Sequence, residues 1–461
     1  MQHIKRIVFG ILFCAVAFSC KKGFLYASPN ISLSVPESLS DYQSMLDNDQ
    51  FMINNPGYAE VCADNYYIGY PTFQSMNYDI QNCYAWTSDT WSGGSGTGIN
   101  DWTYPYNAIY VANVVLEGLP SMQPDASSQG TWNDIKGHAL WLRAFNFYNL
   151  AQEFAQPYKP TSATSDLGLP LKLTSDPNTT VQRSNVQDTY QQITQDLLQA
   201  KDLLQNTVPD DSYLNRPSRV TCLGLLARIY LMMQDYTDAG SYADSALSYY
   251  GTLLDFNTLS PAPNVPFPEA NPESLIQALQ ENYGILGTTT TSYVDSNLYA
   301  SYAANDLRKS LYFSSDPVSG LPYFRGNYSG FGLLYAGVAT DELYLTRAEC
   351  YARAGDVTDA MNDLNTLLVK RWNNAVPFPT YTATSANNAL GQILAERRKE
   401  LCFRGIRWSD LRRLNQDPTY AVTLQRLLNG TTYTLPANDL RYTLLIPLDE
   451  IQISGLQQNP R

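Results

Sequence analysis

The chain has 461 residues and is poor in histidine, in charged residues and in positive charge. Because His3 and His138 are its only histidines, a histidine-cluster metal site is excluded, and a Ser-His-Asp arrangement has at most one candidate base once the N-terminal leader is removed. Charged residues make up 16 %, which predicts a polar but largely uncharged surface. The formal net charge of -13 offers no basic field for a phosphate backbone, so we expect no nucleic-acid partner.

Cysteine is also scarce, and its spacing fits neither a zinc site nor a disulfide framework. When Cys14 and Cys20 of the N-terminal region are set aside, the remaining cysteines are widely spaced and contain no C-x-x-C pair. Cys62 and Cys83 could still pair in an oxidising compartment, and the sequence leaves that alternative open. We predict no metal site and no cofactor.

A long apolar run occurs only at the N-terminus, at residues 7–18. This run is too short for an ordinary transmembrane span and follows two basic residues, as in a secretory signal. The sequence at 17–20, Ala-Phe-Ser-Cys, resembles the bacterial lipobox, in which the cysteine becomes the lipidated first residue of the mature protein. We therefore predict a signal peptide at 1–19 and a lipidated tether at 20–37, with the lipid on Cys20 holding the protein to a membrane.

Helical periodicity is the feature that the chain has in abundance. Apolar residues recur three and four positions apart, which is the stripe of an amphipathic helix, whereas strand-like alternation is scarce. One such stripe consists of Leu140, Ala144, Phe147, Ala151 and Phe154. The pattern predicts TPR-like helices (helices of the tetratricopeptide type) at about 38–53, 101–250 and 341–415.

Two segments, 225–239 and 346–360, look like copies of one helix-hairpin unit. Each has a small residue, an aromatic residue, a turn and then an alanine that opens the next helix, which is typical of TPR hairpins. The matched positions are Ala227 with Ala348, Tyr230 with Tyr351 and Asp235 with Asp356. Since the separation of the copies is not a multiple of the roughly 34-residue TPR repeat, an insert must lie between them.

Two segments, at about 54–100 and 255–340, break the helical pattern and are rich in Pro, Gly, Ser, Thr and Tyr. The Gly-rich run at 92–98 is not followed by G-K-[ST], so we interpret it as a flexible loop and not as a phosphate cradle. Long irregular inserts on a helical scaffold are common carriers of binding sites. The sequence therefore predicts a single domain at 38–461, mainly α, with about four TPR-like helix pairs and long irregular inserts carrying the ligand site.

Four stretches of the chain resemble the SusD/RagB family, the surface glycan-binding lipoproteins of Bacteroidetes nutrient-uptake systems. The most specific is ERRKELCFRGIRWSDL at 396–411, which is close to the family signature E-R-x-x-E-L-x-x-E-G-x-R-W-x-D-L. The other three are an entry segment, a first TPR hairpin and a terminal phrase: Gly23-Phe24-Leu25 with Pro29 and 36–39; Trp102, Tyr106, Ile109, Asn113 and 142–145 with Tyr148; and 446–451 with 458–460.

This resemblance implies a lipid-anchored protein of the outer membrane that faces outward and binds an oligosaccharide without catalysis. It also implies a partner, a SusC-like TonB-dependent transporter, over whose barrel the protein sits as a lid. We expect the TPR hairpins to face that transporter, because paired helices present broad contact areas. Two alternatives stay open: a peptide-binding RagB-like uptake lipoprotein on the same scaffold, and a TPR scaffold for a protein partner.

Tyrosine is the compositional outlier, with 34 residues against 16 phenylalanines. Sugars are polar on their rims and apolar on their ring faces, so a glycan site needs aromatic platforms flanked by amides and hydroxyls. Both inserts offer such residues. The candidate ligand-binding residues are Tyr78, Trp86 and Trp91 with Asn77, Asn82 and Asp89 in the first insert, and Tyr283, Tyr293, Tyr299, Tyr323 and Tyr328 with Asn282 and Asn327 in the second.

The acidic residues of 396–410 suggest a glycosidase at first sight. A glycosidase needs one carboxyl group that stays protonated, whereas the neighbouring arginines should keep these groups ionised. We therefore interpret the cluster as structural and predict no catalytic residue. An enzyme would instead need a carboxylate pair in an insert, among Asp89, Asp101, Glu281 and Asp295.

Overall fold

The computed structural model of the chain describes residues 36–94, 96–281, 283–285 and 291–461. The predicted signal peptide, the predicted lipidation site Cys20 and the candidate Asn282 lie outside the described residues. Within the described ranges, no helix is both long and apolar enough to cross a bilayer.

Helices form most of the regular structure, and the strands are short. The helices are α1 Leu39–Leu46, α2 Gln50–Ile53, α3 Tyr58–Cys62, α4 Tyr70–Ser75, α5 Tyr78–Ala85, α6 Asn100–Gly118, α7 Gln129–Phe154, α8 Val186–Leu203, α9 Arg219–Met232, α10 Tyr236–Tyr249, α11 Ser296–Ala300, α12 Arg308–Tyr312, α13 Thr340–Ala354, α14 Val357–Leu368, α15 Ala386–Glu400, α16 Arg407–Leu414 and α17 Leu448–Ser454. The strands are β1 Tyr66–Ile68, β2 Leu167–Pro170, β3 Arg183–Asn185, β4 Ser292–Val294, β5 Phe313–Ser315, β6 Pro322–Phe324, β7 Leu424–Leu428 and β8 Thr431–Leu435. Single 3₁₀ turns lie at Leu119–Ser121, Phe256–Thr258, Val369–Arg371 and Leu440–Tyr442.

The two copies of the hairpin unit turn on equivalent residues. Asp235 caps α10 and Asp356 caps α14, each by accepting the backbone N–H three residues later. The residue before each cap has a left-handed φ, 63° at Gln234 and 90° at Gly355. This conformation ends the first helix of each pair and starts the tight turn into the second.

The scaffold helices pack on their chain neighbours as hairpins: α6 on α7, α7 on α8, α9 on α10, and α13 on α14 and α15. Ala227, Ala239, Ala348 and Ala360 are fully buried at these contacts, since small side chains let the helices approach closely. α10 packs directly on α13, so the long insert between them leaves the helical array and returns to it. The predicted fold class, mainly α with TPR-like helix hairpins and long inserts, is confirmed.

The inserts contain short paired strands as well as irregular chain. β1 of the first insert pairs antiparallel with β4 of the second, with Tyr67 opposite Tyr293. β5 pairs with β6 inside the second insert, and β7 with β8 nearer the C-terminus. The β7–β8 hairpin closes on Asn429 and Gly430, both at positive φ, as a two-residue hairpin turn requires. The two inserts are thus joined by main-chain pairing.

The described cysteines are all buried free thiols, so the disulfide that the sequence left open between Cys62 and Cys83 is not formed. Burial raises the pKa of Cys350 and of Cys402 to about 12. Thiols with such raised pKa values are unreactive, and these cysteines act as small core residues.

Candidate ligand-binding cleft

A pair of tyrosines stands where the two inserts meet. Tyr67 of β1 and Tyr293 of β4 have ring centroids 5.7 Å apart and ring planes inclined at 45°. The Tyr293 hydroxyl donates to Asp316 Oδ2 over 3.0 Å, and the Tyr67 hydroxyl hydrogen-bonds to Ser296. Both side chains are half-buried, so each ring is held in place and still keeps some surface open to a ligand.

A cavity of about 430 Å³, here called the aromatic cleft, opens beside Tyr67. Its walls come from both inserts, from the α15–α16 region and from strand β7. Its volume is in the usual range of small-ligand sites. The cleft is lined by Asp64, Tyr66, Tyr67, Ile68, Tyr84, Trp86, Asp295, Asn297, Arg398, Arg407 and residues 422–427.

The floor of the cleft is a buried arginine surrounded by rings. The Arg426 guanidinium lies 3.6 Å from the ring centroid of Tyr84, 4.4 Å from that of Trp86 and 5.4 Å from that of Tyr66. It donates hydrogen bonds to backbone carbonyls of the first insert, including those of Tyr84 and Ala63. Stacking and hydrogen bonding together fasten β7 to the first insert.

Two carboxylates line the cleft, and both are engaged by its own cations. Asp64 accepts hydrogen bonds of 2.6 Å and 3.0 Å from Arg407 and lies 3.2 Å from Arg398 Nη2. Burial alone would raise the pKa of Asp64, but the two arginines hold it well below its usual range. Asp295 caps α11 and lies 3.4 Å from the same Arg398 nitrogen. Both carboxylates therefore already have positive or N–H partners.

Uncharged polar groups stand at the cleft mouth. Asn297, Thr423 and Gln425 are exposed, and their side chains form no hydrogen bond with any other residue that the structure describes. Their amides and hydroxyl can donate and accept at once. Hydroxyl-rich ligands are recognised by groups of this kind.

Two of the predicted first-insert aromatics are core residues. Trp91 is 1 % exposed, and its Nε1 donates to the carbonyl of Ile446 over 3.3 Å. Trp86 is 3 % exposed, donates Nε1 to the carbonyl of Cys62, and reaches the cleft only as part of its floor. The prediction that these two rings are exposed ligand platforms is wrong. Both are buried, because removing such large apolar rings from water stabilises the core.

The other predicted residues of the first insert surround the Gly-rich run and do not line the cleft. Tyr78 is 59 % exposed, and its ring packs on Gly93. Asn77 is exposed, and Asn82 donates to the backbone carbonyls of Thr90, just before the run, and Ser92, its first residue. Asp89 is exposed and accepts the backbone N–H of Trp91.

In the second insert, Tyr328 and Asn327 are also buried, with exposed fractions of 2 % and 0 %. The Arg404 guanidinium covers the Tyr328 ring at 4.3 Å, so neither residue can meet a ligand in this conformation, and their prediction is corrected. Tyr283 is pinned by a hydrogen bond from its hydroxyl to buried Asp101. These three residues stabilise the insert and stand outside the cleft lining.

The remaining second-insert aromatics, Tyr299 and Tyr323, are half-buried and separate from the aromatic cleft. Tyr299 lines a second cavity of about 460 Å³, where Lys309 Nζ lies 4.8 Å from its ring centroid. Tyr323 lies in β6 opposite Ser314. The second cavity draws on the second insert and Asn373 alone, so we take the aromatic cleft, which draws on both inserts, as the candidate site.

Two family models match the chain. The one described as starch-binding associating with outer membrane matches residues 23–231, and the one described as SusD family matches residues 341–460. The chain belongs to the SusD/RagB family. The resemblance seen in the sequence is thereby confirmed. No curated protein matches the sequence.

Solved structures share the fold of this SusD-like chain. A SusD superfamily protein from Bacteroides thetaiotaomicron has a TM-score of 0.72 and 22 % identity, covering 92 % of this chain and 100 % of its own. A SusD-like carbohydrate binding protein from Bacteroides vulgatus has a TM-score of 0.69 and 20 % identity, covering 91 % and 97 %. A laminarin binding SusD-like protein has a TM-score of 0.65 and 18 % identity, covering 91 % and 99 %.

The signature segment of the chain forms buried ion pairs. Arg308 lies 2.7 Å from Asp306, 2.7 Å from Glu396 and 2.9 Å from Glu400, and Arg371 lies 2.7 Å from Glu400. Burial would raise the pKa of Glu400, but Arg371 and Arg308 lower it below its usual value. Glu400 is thus held ionised and the whole cluster is enclosed, which fits a structural role and not proton donation to a glycosidic oxygen.

A second cluster of buried acids is paired with arginines and lies outside the cleft lining. Glu273, Asp341 and Glu400 have carboxylate oxygens within 4.8 Å of one another, the one such group found among the described residues. Arg371 pairs with Glu273, and Arg404 with Asp341, so guanidinium groups already supply the positive charge that a metal would bring. Of the insert acids Asp89, Asp101, Glu281 and Asp295, only Asp295 lines the cleft.

Several cleft residues were missed by sequence reasoning: Tyr66, Tyr67, Tyr84, Asn297, Arg398, Arg407 and Gln425. The adjacent tyrosines at 66–67 were a local signal, since aromatic residues favour short strands. Arg398 and Arg407 lie in the signature segment. Because that segment was interpreted as structural, its arginines were not predicted to bind a ligand. Gln425 carries no signal of its own.

Proposed function

We propose that this SusD-like chain binds oligosaccharides at the outer-membrane surface without catalysis and delivers them to a SusC-like TonB-dependent transporter. The observation that carries the proposal is the aromatic cleft, where Tyr67 of the first insert adjoins Tyr293 of the second beside exposed amides. A pyranose ring presents an apolar face to such rings and hydroxyl groups to such amides. The solved relatives named for carbohydrate and laminarin binding support this ligand class.

The carboxylates of the cleft favour binding over hydrolysis. A glycosidase keeps one carboxyl protonated and the other ready to attack or to activate water. Asp64 is held ionised by Arg407 and Arg398, and Asp295 is occupied as a helix cap. Asp64 is therefore not available as a proton donor and Asp295 is held by the α11 N-terminus, so bound glycan should leave the cleft intact.

Calorimetry with saccharides tests ligand class and catalysis together. Tag-purified protein lacking residues 1–20 is titrated with maltotriose, laminaritriose, cellotriose and a tripeptide panel, and each saccharide is then assayed for new reducing ends. We expect saccharide binding without cleavage. Binding of peptides alone would favour the RagB-like alternative, and new reducing ends would overturn the non-catalytic assignment.

The transporter partner is tested separately from the ligand. Full-length tagged protein, expressed with its own leader, is captured from detergent-solubilised outer membranes, and co-purifying barrels are identified by mass spectrometry. A Cys20→Ser variant is the control for lipid anchoring. We expect a TonB-dependent barrel with the native protein, and capture of no barrel would contradict delivery.

A further inference from the structure

We propose that the ligand of the aromatic cleft is an acidic oligosaccharide whose uronate carboxylates are bound by Arg398 and Arg407. This inference rests on the proposed function and narrows its ligand class. The cleft places three guanidinium groups, those of Arg398, Arg407 and Arg426, against two carboxylates, in a chain whose formal net charge is -13. A local excess of positive charge in an acidic protein marks a place where an anion is favoured.

Arg398 has donors to spare. Its Nη2 donates to the backbone carbonyl of Asp64 over 3.0 Å and lies near the carboxylates of Asp64 and Asp295. Its Nε is buried and has no hydrogen-bond partner among the described residues, and its Nη1 donates no hydrogen bond to any described residue. The side chain is 26 % exposed. Because Nε is enclosed, Nη1 is the donor that Arg398 offers to a ligand in the cleft.

Arg407, like Arg398, has an N–H group that forms no hydrogen bond with a described residue. Its Nε and Nη2 form the bidentate contact with Asp64, while its Nη1 engages no described residue. The side chain is 13 % exposed and lines the cleft. The Nη1 group of each guanidinium can donate to a carboxylate oxygen of a ligand, and hydrogen bonds between charged groups are the strong ones.

Arg426 adds charge without adding a neutralising acid. Its hydrogen bonds go to backbone carbonyls and its faces to aromatic rings, and it forms no ion pair with any described carboxylate. By contrast, Asp64 and Asp295 are both already bound by cations or a helix N-terminus. The carboxylates of the cleft are therefore occupied while cationic N–H donors remain, which favours a ligand that carries an anionic acceptor. A uronate combines a carboxylate with a ring face for Tyr67.

A matched pair of ligands separates charge from sugar stereochemistry. Calorimetry compares trigalacturonic acid with its fully methyl-esterified form, and adds trimannuronic acid, a hyaluronan hexasaccharide, laminaritriose, maltotriose and triglutamate. We expect at least one uronate to bind about ten-fold or more tightly than every neutral saccharide, since a charged hydrogen-bonded pair is worth a decade or more in Kd. Added NaCl should weaken uronate binding and leave neutral saccharides unaffected.

Variants assign the preference to the cleft. Arg398→Gln should remove the advantage of the uronate, and it should fold, because Arg407 still pairs with Asp64; the thermal midpoint checks this. Lys309→Gln removes a cation of the second cavity. It is the matched control and should leave the affinity for the uronate unchanged. Uronate binding that survives Arg398→Gln would overturn the site assignment.

The outcomes also separate this inference from the proposed function. If a neutral saccharide binds more tightly than every uronate, the inference fails and oligosaccharide binding stands. If triglutamate binds most tightly, or if no saccharide binds at all, both fail.

Discussion

Tyr67 of β1 and Tyr293 of β4 lie opposite each other with ring centroids 5.7 Å apart. The two inserts to which they belong are separated in the sequence by the TPR-like helices of about 101–250. Neither ring would be held in place by its own three-residue strand, since an isolated two-stranded pair is only marginally stable. The ring contact and the strand pairing therefore support each other. One wall of the cleft exists only when both inserts are in place.

Tyr67→Ala should weaken saccharide binding by about ten-fold, because it removes a ring face worth about 1.4 kcal/mol to the ligand. Tyr67→Phe should bind nearly as the native protein does, since the ring remains and only the hydroxyl contact with Ser296 is lost. Calorimetry measures both. Tyr299→Ala in the second cavity is the control; if it weakens binding more than Tyr67→Ala, the site lies in that cavity.

The helical scaffold could be predicted because its signals are local. The spacing of Ala227 and Tyr230 is repeated at Ala348 and Tyr351, and each copy of this hairpin pattern can be recognised within a short stretch of sequence. The cleft could not be predicted in the same way. Strand pairing between 66–68 and 292–294 depends on long-range register, and three-residue strands are too short to show a period.

Burial explains which candidate residues failed. Trp91 was chosen as an aromatic residue of an irregular insert, yet it is 1 % exposed. The composition of an insert shows that an aromatic residue is present, but it does not show whether its ring is buried or exposed. Asn327 and Tyr328 are buried in the same way. Tyr293 contacts the lining residue Tyr67 and is not itself part of the cleft lining, so its role in binding stays a prediction.

Arg308→Met should destabilise the protein by about 3–5 kcal/mol, because it leaves Asp306, Glu396 and Glu400 buried without the cation that they share. Urea unfolding followed by circular dichroism measures the loss. Arg353→Met is the matched control: its partner Glu349 keeps the contact with Arg413, so the loss should be about 1 kcal/mol or less. Equal losses for the two variants would contradict a shared structural role for Arg308.

Glu153→Gln should stabilise the protein relative to the native chain as pH rises from 5 to 8. Burial first, and then repulsion by Asp101, raise the pKa of Glu153 well above its ordinary value. Unfolded Glu153 is ionised above about pH 4.3, so folding then takes up a proton, and the free energy of unfolding falls by up to about 1.4 kcal/mol per pH unit. The amide of Gln is neutral at every pH and needs no proton on folding.

Urea titrations at pH 5, 6, 7 and 8 measure this gap between the variant and the native protein. Glu349→Gln is the control of opposite sign: arginines, Arg413 above all, outweigh burial and lower the pKa of Glu349 to about 2. Its stabilising charge is present above the unfolded pKa and is lost only as pH falls toward 2. The destabilisation by Glu349→Gln should therefore stay constant from pH 5 to 8, and a constant gap for Glu153→Gln as well would show that Glu153 is ionised in the folded chain.

Arg426→Met should loosen the β7–β8 hairpin from the first insert and cost about 2–4 kcal/mol, because buried carbonyls, among them those of Tyr84 and Ala63, lose their donor. Arg426→Lys should restore only part of this, since a compact ammonium cannot lie flat between rings and serve several carbonyls at once. Hydrogen exchange measured by mass spectrometry should show faster exchange over residues 424–435 in both variants. Arg216→Met, whose side chain is 32 % exposed and pairs with Asp47 away from this hairpin, is the control and should leave that segment protected. Unchanged exchange in Arg426→Met would mean that the β7–β8 hairpin is held to the first insert by packing of its buried leucines and not by the Arg426 guanidinium.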